Sequence, residues 1–159
     1  MLNAGIIYTS NSEWSSPIIL VNKPDGSLRL CVDYRRLNAV STFDAYPMPR
    51  IEELLERLGK ADIVSTLDLT RGYWQVPVAE QDRKKTACTT PFGLYEFRTM
   101  PFGLQGAGAT FQRIVDNVLR GAEEYSGAYK GDIGVSSMTL EAHLAHLRDV
   151  FLRLRQAGL

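Results

Sequence analysis

Ser126-Gly127-Ala128-Tyr129-Lys130-Gly131-Asp132-Ile133-Gly134-Val135-Ser136 reads as strand, tight turn, strand, with Lys130-Gly131 at the turn and an acid just after it. A second acid, Asp68, ends the apolar run Ile63-Val64-Ser65-Thr66-Leu67. Two carboxylates at the ends of adjacent strands can hold divalent metal ions, which is how such ions are positioned for phosphoryl transfer.

Upstream, residues 5–16 are polar with scattered apolar positions and read as extended lead-in. Pro17 to Val21 is a short apolar strand, Asn22-Lys23-Pro24-Asp25-Gly26-Ser27 a turn, and Leu28 to Val32 the returning strand of a hairpin. Asp33-Tyr34-Arg35-Arg36-Leu37-Asn38 reads as an irregular charged stretch. After Pro47 and Pro49, the spacing of Ile51, Leu54, Leu55 and Leu58 predicts a helix with one apolar face, Glu52 and Glu53 in its first turn and Gly59 at its end. Asp68 then leads into a turn or short helical piece interrupted by Gly72.

Thr86 to Thr90 and Leu94 to Thr99 flank Pro91-Phe92-Gly93 and predict a second hairpin. A Gly-rich loop, Pro101 to Gly106, precedes a helix carrying Phe111, Ile114, Val115, Val118 and Leu119 on one face and stopping at Gly121. Thr139 caps a last helix with the apolar stripe Leu140, Leu144, Leu147, Phe151 and Leu154. Hairpins dominate and no regular βαβ alternation occurs. The fold class is therefore α+β, with an antiparallel sheet and helices packed on one face. The expected core includes Ile18, Leu20, Leu30, Val32, Leu54, Leu58, Leu67, Phe111 and Val118.

With 18 basic and 18 acidic residues the formal net charge is zero, which argues against strong independent binding to nucleic acid. Cys31 and Cys88 lie in apolar runs without metal-ligand spacing and read as buried thiols of a reducing compartment. No run is long enough to span a membrane and no export signal is visible, so the expectation is an intracellular protein, cytoplasmic or nuclear.

Single residues leave alternatives open. Asp68 is a metal ligand, or a helix cap or turn former. Lys23, Arg29, Arg35 and Arg36 form a phosphate-binding cluster or a solvated face. Tyr73 and Trp74 stack on a base or pack in the core. His143 and His146, three apart on the last helix, lack a further ligand and read as helix-surface polar residues.

In combination the residues are more specific. Ser15-Ser16-Pro17-Ile18-Ile19-Leu20-Val21, Pro24-Asp25-Gly26, Arg29-Leu30-Cys31-Val32-Asp33-Tyr34-Arg35-Arg36-Leu37-Asn38 and Tyr46-Pro47-Met48-Pro49-Arg50 open a series. It continues through Leu67-Asp68-Leu69-Thr70-Arg71-Gly72-Tyr73-Trp74-Gln75, Lys85-Thr86-Ala87, Pro91-Phe92-Gly93-Leu94-Tyr95-Glu96-Phe97 and Met100-Pro101-Phe102-Gly103-Leu104. Ala109-Thr110-Phe111-Gln112 and Glu141-Ala142-His143-Leu144 close it. The series resembles the reverse transcriptase (RNA-directed DNA polymerase) of gypsy-type long-terminal-repeat retrotransposons, and it spans essentially the whole chain.

The resemblance implies one domain over 1–159 of fingers (1–42 and 77–105) and palm (43–76 and 106–159), with no thumb. It implies Mg2+ or Mn2+ on Asp68 and Asp132 as catalytic metal ligands, and nucleotide contacts from Lys23, Arg29, Tyr73, Phe102 and Gln105. The implied partners are an RNA/DNA template-primer and deoxynucleotides. Tyr129-Lys130-Gly131-Asp132 departs from the family's Tyr-x-Asp-Asp turn, with Gly131 in place of a metal-binding Asp and Lys130 in place of an apolar residue. The expectation is a catalytically impaired nucleotidyltransferase. The alternatives are a fragment of an active polymerase working with Asp68 and Asp132, or a non-catalytic nucleic-acid-binding or protein-interaction module. Self-association or a partner is expected at an apolar surface near the last helix, left by the missing thumb. Gly127 and Gly134 are expected to weaken their strands.

Overall fold

Two sheets organise the chain, one in each of two units. The computed structural model describes residues 1–22, 24 and 26–159. The first unit comprises Met1–Asp44 and Tyr73–Ala107, the second Ala45–Gly72 and Gly108–Leu159.

In the first unit, β1 (Ile7–Thr9), β2 (Ser16–Asn22), β3 (Leu28–Val32), β5 (Cys88–Thr90) and β6 (Gly93–Phe97) form a sheet in the order β1-β6-β5-β2-β3. All its pairs are antiparallel except β2 with β5. Both expected hairpins form. The lead-in is more ordered than expected, because Ile7 to Thr9 pair with Phe97 to Tyr95. Ile6, Cys88 and Phe97 are the buried centre, with Ile18, Val32, Trp74 and Tyr95 packed against them. Leu20 and Leu30 are not core: they are 58% and 44% exposed on the outer hairpin. Cys88 is buried, Cys31 half-buried, and both are free thiols.

The charged stretch after β3 is helical, not irregular: α1 runs Arg35–Val40. Asp33 Oδ1 accepts the Arg35 backbone N–H at 3.1 Å, which starts the turn, and Leu37 buries its side chain. The Arg35 guanidinium also grips Asp33 at 2.6 Å and holds its carboxyl at about 2. Residues Glu80–Arg83 form a short helix α3 that continues as the 3-10 turn Lys84–Thr86, so the strand expected from Thr86 begins only at Cys88.

In the second unit, β4 (Ile63–Asp68), β7 (Ser126–Tyr129) and β8 (Asp132–Ser137) form an antiparallel sheet in the order β4-β8-β7. Helices α2 (Ile51–Leu58), α4 (Ala107–Val118) and α5 (Leu140–Ala157) begin and end close to the sequence signals. Thr139 Oγ1 accepts the Ala142 N–H, and Gly158 closes α5 at φ 78.

The α+β class stands, but the helices take both faces of this sheet. Side chains three apart on a strand point to opposite faces. On one face Ser137, with Ser65, meets α5 through His143. On the other lies α2, admitted by glycine: a Cβ at Gly127 or Gly134 would stand 2.3 Å from the Leu54 or Leu58 methyl. Gly127 and Gly134 are thus the floor of a helix seat.

Helix α5 is rotated relative to its apolar stripe. Its buried residues are His143, Val150 and Leu154, while Leu144 and Phe151 are 60% and 54% exposed. His143 is no surface residue: it is 3% exposed, with Nε2 2.8 Å from Ser65 Oγ and Nδ1 3.0 Å from Ser137 Oγ. Ser137 Oγ also meets His146 Nδ1 at 2.8 Å. No helix among the described residues is long and apolar enough to cross a membrane.

Candidate active site

Strand register decides where the carboxylates stand. Asp68, the last residue of β4, pairs directly with Asp132, the first of β8, and Asp132 pairs in turn with Tyr129. Directly opposed residues share a face, so both exposed carboxylates project from one end of the sheet on the same side. The Leu69 N–H donates to the Gly131 carbonyl at 3.0 Å and ties the β4 end to the turn. Like charges directly opposite one another destabilise a sheet unless a cation lies between them.

The two-residue loop has an unexpected distribution of strain. Lys130, not Gly131, carries the positive φ, at 56°. Gly131 has no left-handed φ, and a Cβ placed on it would lie 3.8 Å from Asp68 Oδ1. A carboxylate at 131 would therefore start towards Asp68 with room to spare. The Lys130 ammonium lies over the Tyr129 ring, 5.3 Å from its centroid.

The residue that sequence reasoning undervalued is Gln112. It is fully buried in α4, and its side-chain amide acts as a strand partner for the outer edge of β7. Nε2 donates to the Ala128 carbonyl at 2.9 Å, and Oε1 accepts the Lys130 N–H at 2.7 Å. Nε2 also donates to Asp116 Oδ1 at 2.8 Å, while Asp116 Oδ2 accepts the Tyr46 hydroxyl at 2.8 Å. Its sequence signal was an amide between Phe111 and Val115 on an apolar stripe, since a buried amide must find partners. Gly72 is fixed in the same way, because a Cβ there would stand 2.5 Å from Phe111 Cζ.

In the first unit the ring of Phe102 gathers other residues singled out above. Tyr73 lies 5.0 Å from it, Trp74 6.1 Å edge-on, and the Arg29 guanidinium 5.6 Å over its centroid. Gln105 is held through its backbone, whose N–H donates to Asn38 Oδ1 at 2.9 Å. Asn38 Nδ2 donates to the Gly103 carbonyl at 2.8 Å, so one side chain of α1 braces the Gly-rich loop. Asn38 was hidden in what read as irregular chain. Lys23 lies outside the described residues.

Residues 21–159 match the family model for reverse transcriptase (RNA-dependent DNA polymerase). The chain belongs to the reverse transcriptase family. It is 42% identical, over its whole length, to the retrovirus-related Pol polyprotein from transposon 297 of Drosophila melanogaster, and 39% to that from transposon gypsy of the same organism. It spans 16% of the length of each. The fold is similar to the foamy viral protease-reverse transcriptase in complex with RNA/DNA hybrid, with a TM-score of 0.91 and 29% identity over 99% of this chain and 21% of that one. This reverse transcriptase domain thus corresponds to a part of the retrotransposon Pol polyproteins it resembles.

Proposed function

We propose that this reverse transcriptase domain comprises fingers, formed by the first unit, and a palm, formed by the second, and that it engages an RNA/DNA template-primer but catalyses nucleotide addition poorly. The reading rests on one observation. Asp68 and Asp132 form a facing cross-strand pair, and the adjacent position that aims at Asp68 is Gly131. Two carboxylates suit one hydrated Mg2+ or Mn2+ whose remaining ligands come from phosphate oxygens. When bound, such an ion would offset charge on a transferring phosphoryl group. A pair of ions about 3.5–4 Å apart needs more anionic ligands than this turn provides. Among the described residues no group of three or more acidic, histidine or cysteine side chains is gathered to hold a metal.

The chain's own contribution is positional. Gln112 fixes the turn backbone, the Leu69 N–H holds β4 to it, and the Lys130 ammonium lies over Tyr129, the cross-strand partner of Asp132. Arg29, with the aromatic platform of Tyr73 and Phe102, is the proposed nucleotide side. The nucleic-acid partner is supported by the foamy viral relative, which is described in complex with RNA/DNA hybrid.

The test restores the turn. Gly131→Asp with Lys130→Leu adds a carboxylate and removes the ammonium, and the φ at 131 admits the side chain. Mn2+ titrated by calorimetry should bind the double variant at least tenfold more tightly than the wild type, on the order expected for one added charged ligand. Asp68→Ala in the double variant should abolish the gain. Equal, negligible binding in both proteins would sink the emphasis on Gly131. Robust template-dependent extension by the wild type, lost in Asp68→Ala, would instead favour an active fragment using Asp68 and Asp132.

A further inference from the structure

Gln112 holds the acidic turn with the two ends of one amide. Nε2 faces the Ala128 carbonyl and Oε1 faces the Lys130 N–H. Turned over, each end would meet its own kind, oxygen against oxygen and N–H against N–H. Shape does not forbid that, because the two ends of a side-chain amide are nearly the same size and its last torsion is broad and two-fold. A third partner must select the orientation.

Asp116, one turn further along α4, is placed to do so. Its Oδ1 accepts the second Nε2 hydrogen at 2.8 Å. An ionised carboxylate only accepts hydrogen bonds, so it takes the nitrogen of Gln112 and turns away the oxygen. A glutamine and an aspartate four apart are ordinary neighbours on a helix. Here the glutamine is fully buried, and the carboxylate is itself held from another segment. The Tyr46 hydroxyl donates to Asp116 Oδ2 at 2.8 Å. That bond raises the Tyr46 hydroxyl above its ordinary range and keeps it a donor. The Arg113 guanidinium lies over the Tyr46 ring, 4.9 Å from its centroid, and Pro47 confines the Tyr46 backbone to extended conformations.

We infer that Asp116 and Tyr46 are positioning residues for the acidic turn. Tyr46 fixes the Asp116 carboxylate, Asp116 fixes the orientation of the Gln112 amide, and the amide holds the end of β7, against which Asp132 is registered. The inference deepens the metal-site reading above and rests on it only for the ion. The role asks of Asp116 an acceptor, not a charge. Asparagine can supply one, with Oδ1 on Gln112 and Nδ2 donating to the Tyr46 oxygen, which accepts as well as donates.

The test follows hydrogen exchange residue by residue in Asp116→Ala, Asp116→Asn and Tyr46→Phe. Mn2+ is then titrated by calorimetry into the same three changes in the Gly131→Asp, Lys130→Leu background. Asp116→Ala should speed exchange of the residue 130 amide about tenfold, the order of one lost hydrogen bond to a charged group, while amides inside α5 keep their rates. Asp116→Asn should stay within about twofold of the wild type, and Tyr46→Phe should fall between the two. Mn2+ affinity in the restored background should decline in the same order. An unchanged residue 130 amide in Asp116→Ala overturns the proposal. So does equal acceleration throughout α5, which would make Asp116 a contact for stability alone, or an Asn variant as damaged as the Ala one, which would make its charge the active property. Mn2+ binding indifferent to Asp116→Ala overturns it as well, and wild-type exchange in Tyr46→Phe overturns the part given to Tyr46. If exchange follows the expected order while no variant binds Mn2+, the positioning chain stands and the metal-site reading fails.

Discussion

At the level of single residues, the acidic turn concentrates the differences between what sequence suggests and what geometry does. Asp68 and Asp132 were legible because strand ends and turn residues fix register, and register alone makes them face each other. Gln112 was not, because its partners are backbone atoms of Ala128 and Lys130, far along the chain. Nor was the strain at Lys130. A side-chain-bearing residue at φ 56 costs about 1–2 kcal/mol in the folded state. Glycine at the same place avoids that cost but loses about 0.5–1 kcal/mol to the freer unfolded chain. Lys130→Gly should therefore stabilise the domain by about 0.5–1 kcal/mol, raising Tm by about 2 °C for a chain of this length. A fall in Tm by calorimetry would show that the Tyr129 contact outweighs the strain.

Among the elements, hairpins and long helices were legible and short ones were not. Helix α1 was missed because it is held by Asp33, Tyr34 and Leu37, not by a periodic apolar face. The stripe on α5 misled for a related reason. Its apolar residues number enough to suggest the buried face, yet the face that packs on the sheet carries His143, satisfied by Ser65 and Ser137. Glycine inside a strand reads as weakness, whereas at Gly127 and Gly134 the missing side chain admits Leu54 and Leu58. Gly134→Ala should destabilise the domain by about 1–3 kcal/mol through overpacking, measurable as a shift in urea midpoint without a change in m-value. Leu58 is buried and has little freedom to retreat. If the alanine variant is neutral, α2 can slide on the sheet, and the helix seat is looser than the contact at 2.3 Å implies.

For the whole molecule, charge limits what the domain can do with nucleic acid. Non-specific affinity for a duplex comes mostly from cations that displace counterions. With 18 basic and 18 acidic residues this chain presents no net field to draw a polyanion in. Several of its basic side chains are already committed: Arg35 to Asp33, Arg153 to Asp149, and Lys85 to Asp82. Arg29 lies against Phe102, so its charge remains available but its position is set by the ring. The family resemblance was legible across the entire chain because ordered blocks of residues carry it, but affinity is a property of the summed surface and no block encodes it. An RNA/DNA hybrid should therefore bind this domain in isolation with a Kd no tighter than about 10 μM at physiological salt, near the middle of the non-specific range. The slope of log K against log salt should correspond to about three phosphates or fewer. Fluorescence anisotropy with a labelled hybrid across a salt series measures both. Nanomolar binding with a steep slope would mean that the basic residues are gathered on one face strongly enough to overcome the neutral total, and the domain would then hold template-primer without help from other parts of a polyprotein.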